Sequence, residues 1–158
     1  MRFRDSVVWI TGASSGIGEE TAKQLDAEGA HLVLSGRNDE SLRRVAGECW
    51  GPGETMVLPL DVTDGYAIGI AAADVLARFG RVDILVNNAG QTHRGRIAET
   101  AIEVYRRVME VNFFGPLMLT KAVLPSMIER GSGRIVCVTS VAGKYGSPMR
   151  SGYNAAKH

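Results

Sequence analysis

Cysteine is scarce: Cys49 and Cys137 are the only two in 158 residues. They stand far apart, with no metal-ligand spacing around them, so they read as reduced thiols of a cytoplasmic protein and no metal site is expected. An excess of charge of one sign is also lacking. Eighteen Lys and Arg against seventeen Asp and Glu leave a net charge of +1, with both signs mixed along the chain. That argues against nucleic acid or an anionic membrane as the main partner. The start has no long apolar run: residues 1–6 carry two arginines and an aspartate and lead into a short apolar stretch, so neither a signal peptide nor a membrane span is expected. Internal repeats, low-complexity tracts and linkers are missing too. What remains is an ordinary soluble composition, 45% hydrophobic and 22% charged, at a length that suits one domain with a sizeable core.

The pattern along that domain alternates strand and helix. Residues 7–11 form an apolar run of strand length, as in a strand buried on both faces of a parallel sheet. Ile17, Thr21 and Leu25, four apart, place a helix over residues 16–28 that Gly29 ends. A second strand at 31–35 is followed by a turn at Arg37 and Asn38 and a short polar helix to about Glu48, broken by Trp50-Gly51-Pro52-Gly53. A third strand spans 55–60 and ends at Asp61. Thr63 or Asp64 then caps a helix whose apolar face holds Ile68, Ala72, Val75 and Phe79, before Gly80 stops it and 82–86 make a fourth strand. After a polar loop at 91–96, two helices share residues 98–129, with an irregularity at Gly115-Pro116 and a kink at Pro125. The fifth strand is 134–140, and a further helix begins near Ser151. The alternation predicts one α/β domain, a doubly wound parallel sheet of Rossmann-like type in the order 3-2-1-4-5.

Within this frame the stretch Thr11-Gly12-Ala13-Ser14-Ser15-Gly16-Ile17-Gly18 joins the first strand to the first helix. A pyrophosphate needs backbone N–H groups aimed at it, no Cβ in its way and a helix N-terminus behind it, and glycines at 12, 16 and 18 suit all three needs. An ordinary βα turn is the alternative. Tyr153 and Lys157 are four apart on a predicted helix and share a face. Lowering a tyrosine pKa from about 10 towards 7 takes about 4 kcal/mol, and a neighbouring ammonium supplies part of it. Ser140 ends the fifth strand at the sheet edge where open α/β sheets bind ligands, as Gly12, Asp61 and Asn87 end others.

Taken together these residues resemble a short-chain dehydrogenase/reductase of the single-domain type over residues 5–158. The family's T-G-x-x-x-G-x-G matches Thr11, Gly12, Gly16 and Gly18, with Ser14, Ser15 and Ile17 between them; its N-N-A-G is Asn87, Asn88, Ala89 and Gly90. Its helical Asn is Asn112, its Ser is Ser140, and its Y-x-x-x-K is Tyr153 and Lys157. The resemblance implies that Tyr153 exchanges a proton with a carbonyl or alcohol oxygen, that Lys157 favours the phenolate and holds the nicotinamide ribose, and that Ser140 bonds the substrate oxygen. It implies that Asn112 holds a water leading to Lys157; a helix polar residue bonding a nearby carbonyl is the alternative. Asp61 and Val62 match adenine contacts, although an Asp there could equally cap a helix. Asn88, Ala89 and Gly90 would line the cofactor cleft. His31, His93 and His158 receive no role.

Cofactor preference turns on the end of the second strand. Gly36 and Arg37 stand where an acidic residue would repel a 2′-phosphate, so NADP(H) is expected over NAD(H); Arg37 as a solvated loop charge is the alternative. Family members continue for some ninety residues past this point, with two more strands and the substrate lid. The expected function is reduction of a small-molecule carbonyl, or oxidation of a secondary alcohol, by a parent enzyme that is a homo-oligomer. Because the chain stops at His158, the alternative is a non-catalytic nucleotide-binding fragment or interaction protein, and the isolated chain is expected to be inactive and prone to association.

Overall fold

The computed structural model describes residues 1–158. The sheet has five parallel strands in the order β3-β2-β1-β4-β5. At its centre β1 (Val7–Thr11) lies between β2 (His31–Ser35) and β4 (Ile84–Asn87), all five of its residues buried. Successive side chains of a strand point to opposite faces, and the core divides accordingly. Val7, Trp9, Val33 and Leu85 pack on one side with α3 (Gly65–Phe79) and α5 (Gly115–Glu129), through Ile68, Val75, Leu119 and Val123. Val8, Ile10, Leu32, Leu34 and Val86 pack on the other, with Ala22 of α1 (Gly16–Ala27) and Leu42 and Val45 of α2 (Asp39–Gly47). Trp9 also reaches across the sheet to donate its indole N–H to Ser35 Oγ at 2.9 Å. The order of strands reverses at the junction of β1 and β4, and a cleft opens there beyond their carboxyl ends.

Element ends differ from the sequence expectation for identifiable reasons. β3 is Thr55–Val57, not 55–60, although Leu58 and Leu60 beyond it still donate to Leu34 and Gly36; Pro59 between them faces away from β2, where a missing N–H breaks no ladder bond on this edge strand. β4 starts at Ile84 rather than 82, where the Asp83 carboxylate accepts the Val7 N–H. Asp64, not Thr63, caps α3, accepting from the Tyr66 and Ala67 N–H groups. α4 (Ile102–Met109) begins four residues later than expected. The irregularity lies ahead of Gly115-Pro116, as a π turn over Glu110–Phe114 in which Gly115 N–H reaches back five residues to Glu110. Pro116 offers no N–H to claim the next carbonyl, which permits the wider turn. α5 runs through Pro125. By length and composition the run Ile102–Glu129 would also cross a membrane, yet Val111, Leu119, Val123 and Met127 are buried in the core. β5 (Arg134–Cys137) is the exposed sheet edge, shorter than 134–140, and α6 (Ser151–Lys157) closes the chain.

Candidate active site

Two strand ends are knotted together at the floor of the cleft. Thr11 Oγ1 accepts the N–H groups of Asn88 and Ala89, both at 3.1 Å, and donates to Val86 O. Asn88 Nδ2 donates in return to Thr11 O at 3.0 Å and Gly12 O at 3.1 Å. Asn88 thus shapes the glycine loop with its amide as well as lining the cleft. The loop accepts no Cβ at two places. Gly12 has φ +65°, and a Cβ there would lie 2.9 Å from Ala89 Cα; one on Gly18 would lie 2.3 Å from Gly12 O. α1 begins at Gly16 behind Ser15, whose side chain makes no capping bond, so its first N–H groups face the cleft without a protein side-chain partner.

That cleft is about 420 Å³, and most of its lining is residues the sequence singles out. Gly12, Ser14, Ser15, Gly16 and Ile17 form one wall; Asn88, Ala89 and Gly90 form the floor; Gly36, Arg37, Asp61 and Val62 form the far end. Arg37 is exposed and makes no ion pair or hydrogen bond. Asp61 is no helix cap. Its Oδ1 accepts the N–H and hydroxyl of Thr63, and its Oδ2 accepts Arg107 Nη2 at 3.1 Å. Burial pushes the Asp61 carboxyl up, but these bonds outweigh it and hold the group below the usual carboxylate range. Behind the loop, Arg44 and Lys23 bracket Glu19 in the first turn of α1, holding its carboxyl down to about 2, and Arg44 also reaches Ser14 O.

Ser140, Tyr153 and Lys157 lie outside this lining, past its Gly90 end. Lys157 Nζ donates to Val138 O at 3.0 Å and sits 6.0 Å from the Tyr153 ring centre, so the pair does share a face of α6. The position a Gly90 Cβ would take is 3.0 Å from Asn112 Oδ1 and 3.6 Å from Lys157 Nζ, which sets both groups around Gly90. Ser140 Oγ accepts the Ala142 N–H, heading a short 3₁₀ turn at Val141–Gly143. Asn112 sits in the π turn with both amide N–H groups engaged: Nδ2 donates to Gln91 O at 2.7 Å and Val108 O at 2.8 Å, and Oδ1 accepts Gln91 N–H. This is the bonding to nearby carbonyls that the sequence left as the alternative; it takes both amide N–H groups and leaves one acceptor position on Oδ1. Sequence reasoning missed Gln91 and Arg107, both in the lining. Arg107 follows Arg106 in the last turn of α4, and nothing local distinguishes the one that faces inward.

The chain matches the family model described as short chain dehydrogenase over residues 6–158. It is 49% identical over 161 residues to the mouse (Mus musculus) dehydrogenase/reductase SDR family member 7B, an alignment covering 99% of this chain and 50% of that protein. Among solved structures, an NAD⁺-bound xylitol dehydrogenase superposes with a TM-score of 0.95 at 32% identity, covering 99% of this chain and 61% of that one. A metagenomic short-chain oxidoreductase in complex with NADP gives 0.94 at 34% identity, covering 99% and 72%. The chain spans about half the length of the curated relatives it matches.

Proposed function

The chain belongs to the short-chain dehydrogenase family, and on that premise we propose that it forms the cofactor-binding and catalytic part of an NADP-dependent oxidoreductase that reduces a small-molecule carbonyl or oxidises the matching secondary alcohol. The observation that carries this is the cleft itself: an uncapped helix N-terminus beside glycines whose Cβ atoms would fill the cradle, with a lysine–tyrosine pair past its other end. A dinucleotide phosphate suits that donor set. Gly12, Ser14, Ser15, Gly16, Ile17 and Gly18 would hold the pyrophosphate, Asp61 and Val62 the adenine, Asn88 to Gly90 the middle, and Tyr153 and Lys157 the nicotinamide ribose. Arg37 is the support for NADP over NAD: a guanidinium without a protein partner beside Gly36, at the end of β2, can pair with a 2′-phosphate. Relatives of known structure bind either cofactor.

When bound, the reduced nicotinamide supplies a hydride to the carbonyl carbon. Tyr153 gives its phenolic proton to the carbonyl oxygen as charge develops there, and Lys157 stabilises the phenolate left behind. Ser140 Oγ accepts the Ala142 N–H, which leaves its own proton free for the same oxygen. Asn112 acts as a positioning residue, holding the Gln91 peptide next to Gly90 from both its N–H and its C=O. The same proposal includes a cytoplasmic homo-oligomer, supported by free Cys49 and Cys137 and by the exposed apolar Phe113, Phe114, Leu117 and Leu124. Loss of NADPH absorbance with a panel of ketones, using the whole protein, tests the reading. Ketone-dependent oxidation of NADPH that exceeds that of NADH is expected, and no cofactor oxidation with any carbonyl would contradict it.

A further inference from the structure

His93 receives no role from the sequence, yet it has a fixed place in the structure. It stands midway along a loop that leaves Gly90, beside Lys157 Nζ, and ends at Gly95, whose N–H donates to Met149 O at 2.8 Å, four residues before Tyr153. The loop therefore runs from one member of the tyrosine–lysine pair to the approach of the other. Met149 holds φ +62°, a left-handed conformation that a methionine keeps only where its surroundings fix it. Gly95 admits no side chain: a Cβ there would lie 2.7 Å from both His93 Nε2 and Thr100 Oγ1. The Thr100 hydroxyl gives its one proton to Arg96 O at 2.8 Å, so towards His93 Nε2, 3.3 Å away, its oxygen accepts. Nε2 thus carries the ring proton, an assignment that follows from the bonding around it. The other nitrogen, Nδ1, makes no hydrogen bond and is not among the buried unpaired atoms, which leaves an accessible acceptor on this loop.

We infer that His93 is a substrate-binding residue that selects for a hydroxyl next to the reacting carbonyl: Nδ1 accepts a hydrogen bond from that hydroxyl, so the substrate class is a hydroxyketone, or a diol in the oxidising direction. The inference rests on the oxidoreductase reading above and adds to it the group beside the carbonyl. An imidazole whose proton is committed to Thr100 has nothing to donate, so it does not compete with Tyr153 and Ser140 for the carbonyl oxygen. What it can take is an O–H or an N–H. Charge decides between them. Arg94, Arg96 and Arg150 stand on the two loops that the Gly95–Met149 bond joins, and Glu99, paired with Arg96, is the one carboxylate among residues 91–102. That setting opposes an ammonium and admits a neutral hydroxyl. A plain ketone bound there displaces water from Nδ1 and returns no donor.

The test uses the whole protein with NADPH and two matched pairs of ketones, acetoin with butanone and 2-hydroxyacetophenone with acetophenone, and reads the ratio of kcat/KM within each pair. Because a hydroxyl also activates the carbonyl electronically, the deciding quantity is the change in that ratio on substitution. His93→Phe keeps a ring and removes the acceptor; it is expected to lower the ratio by about threefold to tenfold, the worth of one hydrogen bond, with the loss falling on the hydroxyketone. His93→Gln, whose amide can donate to Thr100 and accept with its oxygen, is expected to recover most of it. A His93→Phe variant that loses both members of each pair equally would show that the ring only supports the loop, and would overturn the inference while leaving the oxidoreductase reading intact. An unchanged ratio at unchanged rates would do the same. A wild type that oxidises NADPH with no carbonyl would overturn the oxidoreductase reading, and the inference with it. If His93→Phe does not fold, Thr100→Val, which releases the ring proton to either nitrogen, is read by the same ratio.

Discussion

At the scale of single residues, the cleft is set by side chains that hold backbone as much as by side chains that face a ligand. Asn88 and Asn112 each commit their amides to peptide groups of the loops they border, and an unmade bond of this kind in a half-buried site costs about 1–3 kcal/mol. Arg37 is the contrast. It is exposed and unpaired, so its charge is available, and Arg37→Glu is expected to weaken NADPH binding by tenfold or more while changing NADH binding by less than about threefold. Titration of both cofactors checks this, and equal losses would remove Arg37 from the 2′-phosphate. The sequence could name Asn112 and Asp61 but not their partners. That Asn112 bonds Gln91, 21 residues away, or that Asp61 meets Arg107, 46 residues away, depends on how α4 docks against the loops, and no local pattern carries that.

At the scale of elements, the periodicities placed every strand and helix and the sheet order, because β1 and β2 are buried continuously and the glycine-rich turns are strong punctuation. Lengths were less legible at the sheet edges. β3 and β5 are the edge strands, paired on one side only, and there the regular ladder stops short of the apolar run. The π turn was visible only as an irregularity, since its place depends on which carbonyl Gly115 claims. α6 has no side-chain cap of its own, and its first turn is seated from α4 instead: Tyr105 OH lies 3.2 Å from Ser151 Oγ, and a Cβ on Gly152 would lie 2.8 Å from Tyr105 Cδ1. Gly152→Ala is therefore expected to push the Tyr153 turn out of place, lowering kcat about tenfold or more with NADPH affinity nearly unchanged. Adding Tyr105→Ala, which removes the ring in the way, is expected to restore part of the loss. A double variant as slow as the two single losses combined would show that the contact does not seat the helix.

At the scale of the whole molecule, a two-faced core is tied at the amino end of the sheet by Asp83. Its carboxylate accepts the Val7 N–H at 2.8 Å and pairs with Arg81 at 2.9 Å and Arg130 at 3.0 Å, joining β1, the start of β4 and the end of α5. Burial works to raise its pKa, but the bonds from Val7, Arg81 and Arg130 prevail and lower it. A carboxyl lowered on folding adds stability above its unfolded pKa, near 4, and loses it as pH falls through the folded value. Asp83→Asn is thus expected to lower stability by about 1–3 kcal/mol at pH 7. The gap from wild type should close below pH 4 in denaturant titrations; a gap that stays constant with pH would mean that the charge of Asp83 is not what ties these elements. The central claim, that this fold brings Tyr153 to a carbonyl beside a dinucleotide, is tested most directly by Tyr153→Phe in the whole protein, with ketone-dependent NADPH oxidation and NADPH binding measured on the same preparation. The account predicts a fall in kcat of about a hundredfold or more with binding unchanged, because the ring stays and only the transferable proton is lost. Turnover close to wild type in that variant would contradict it.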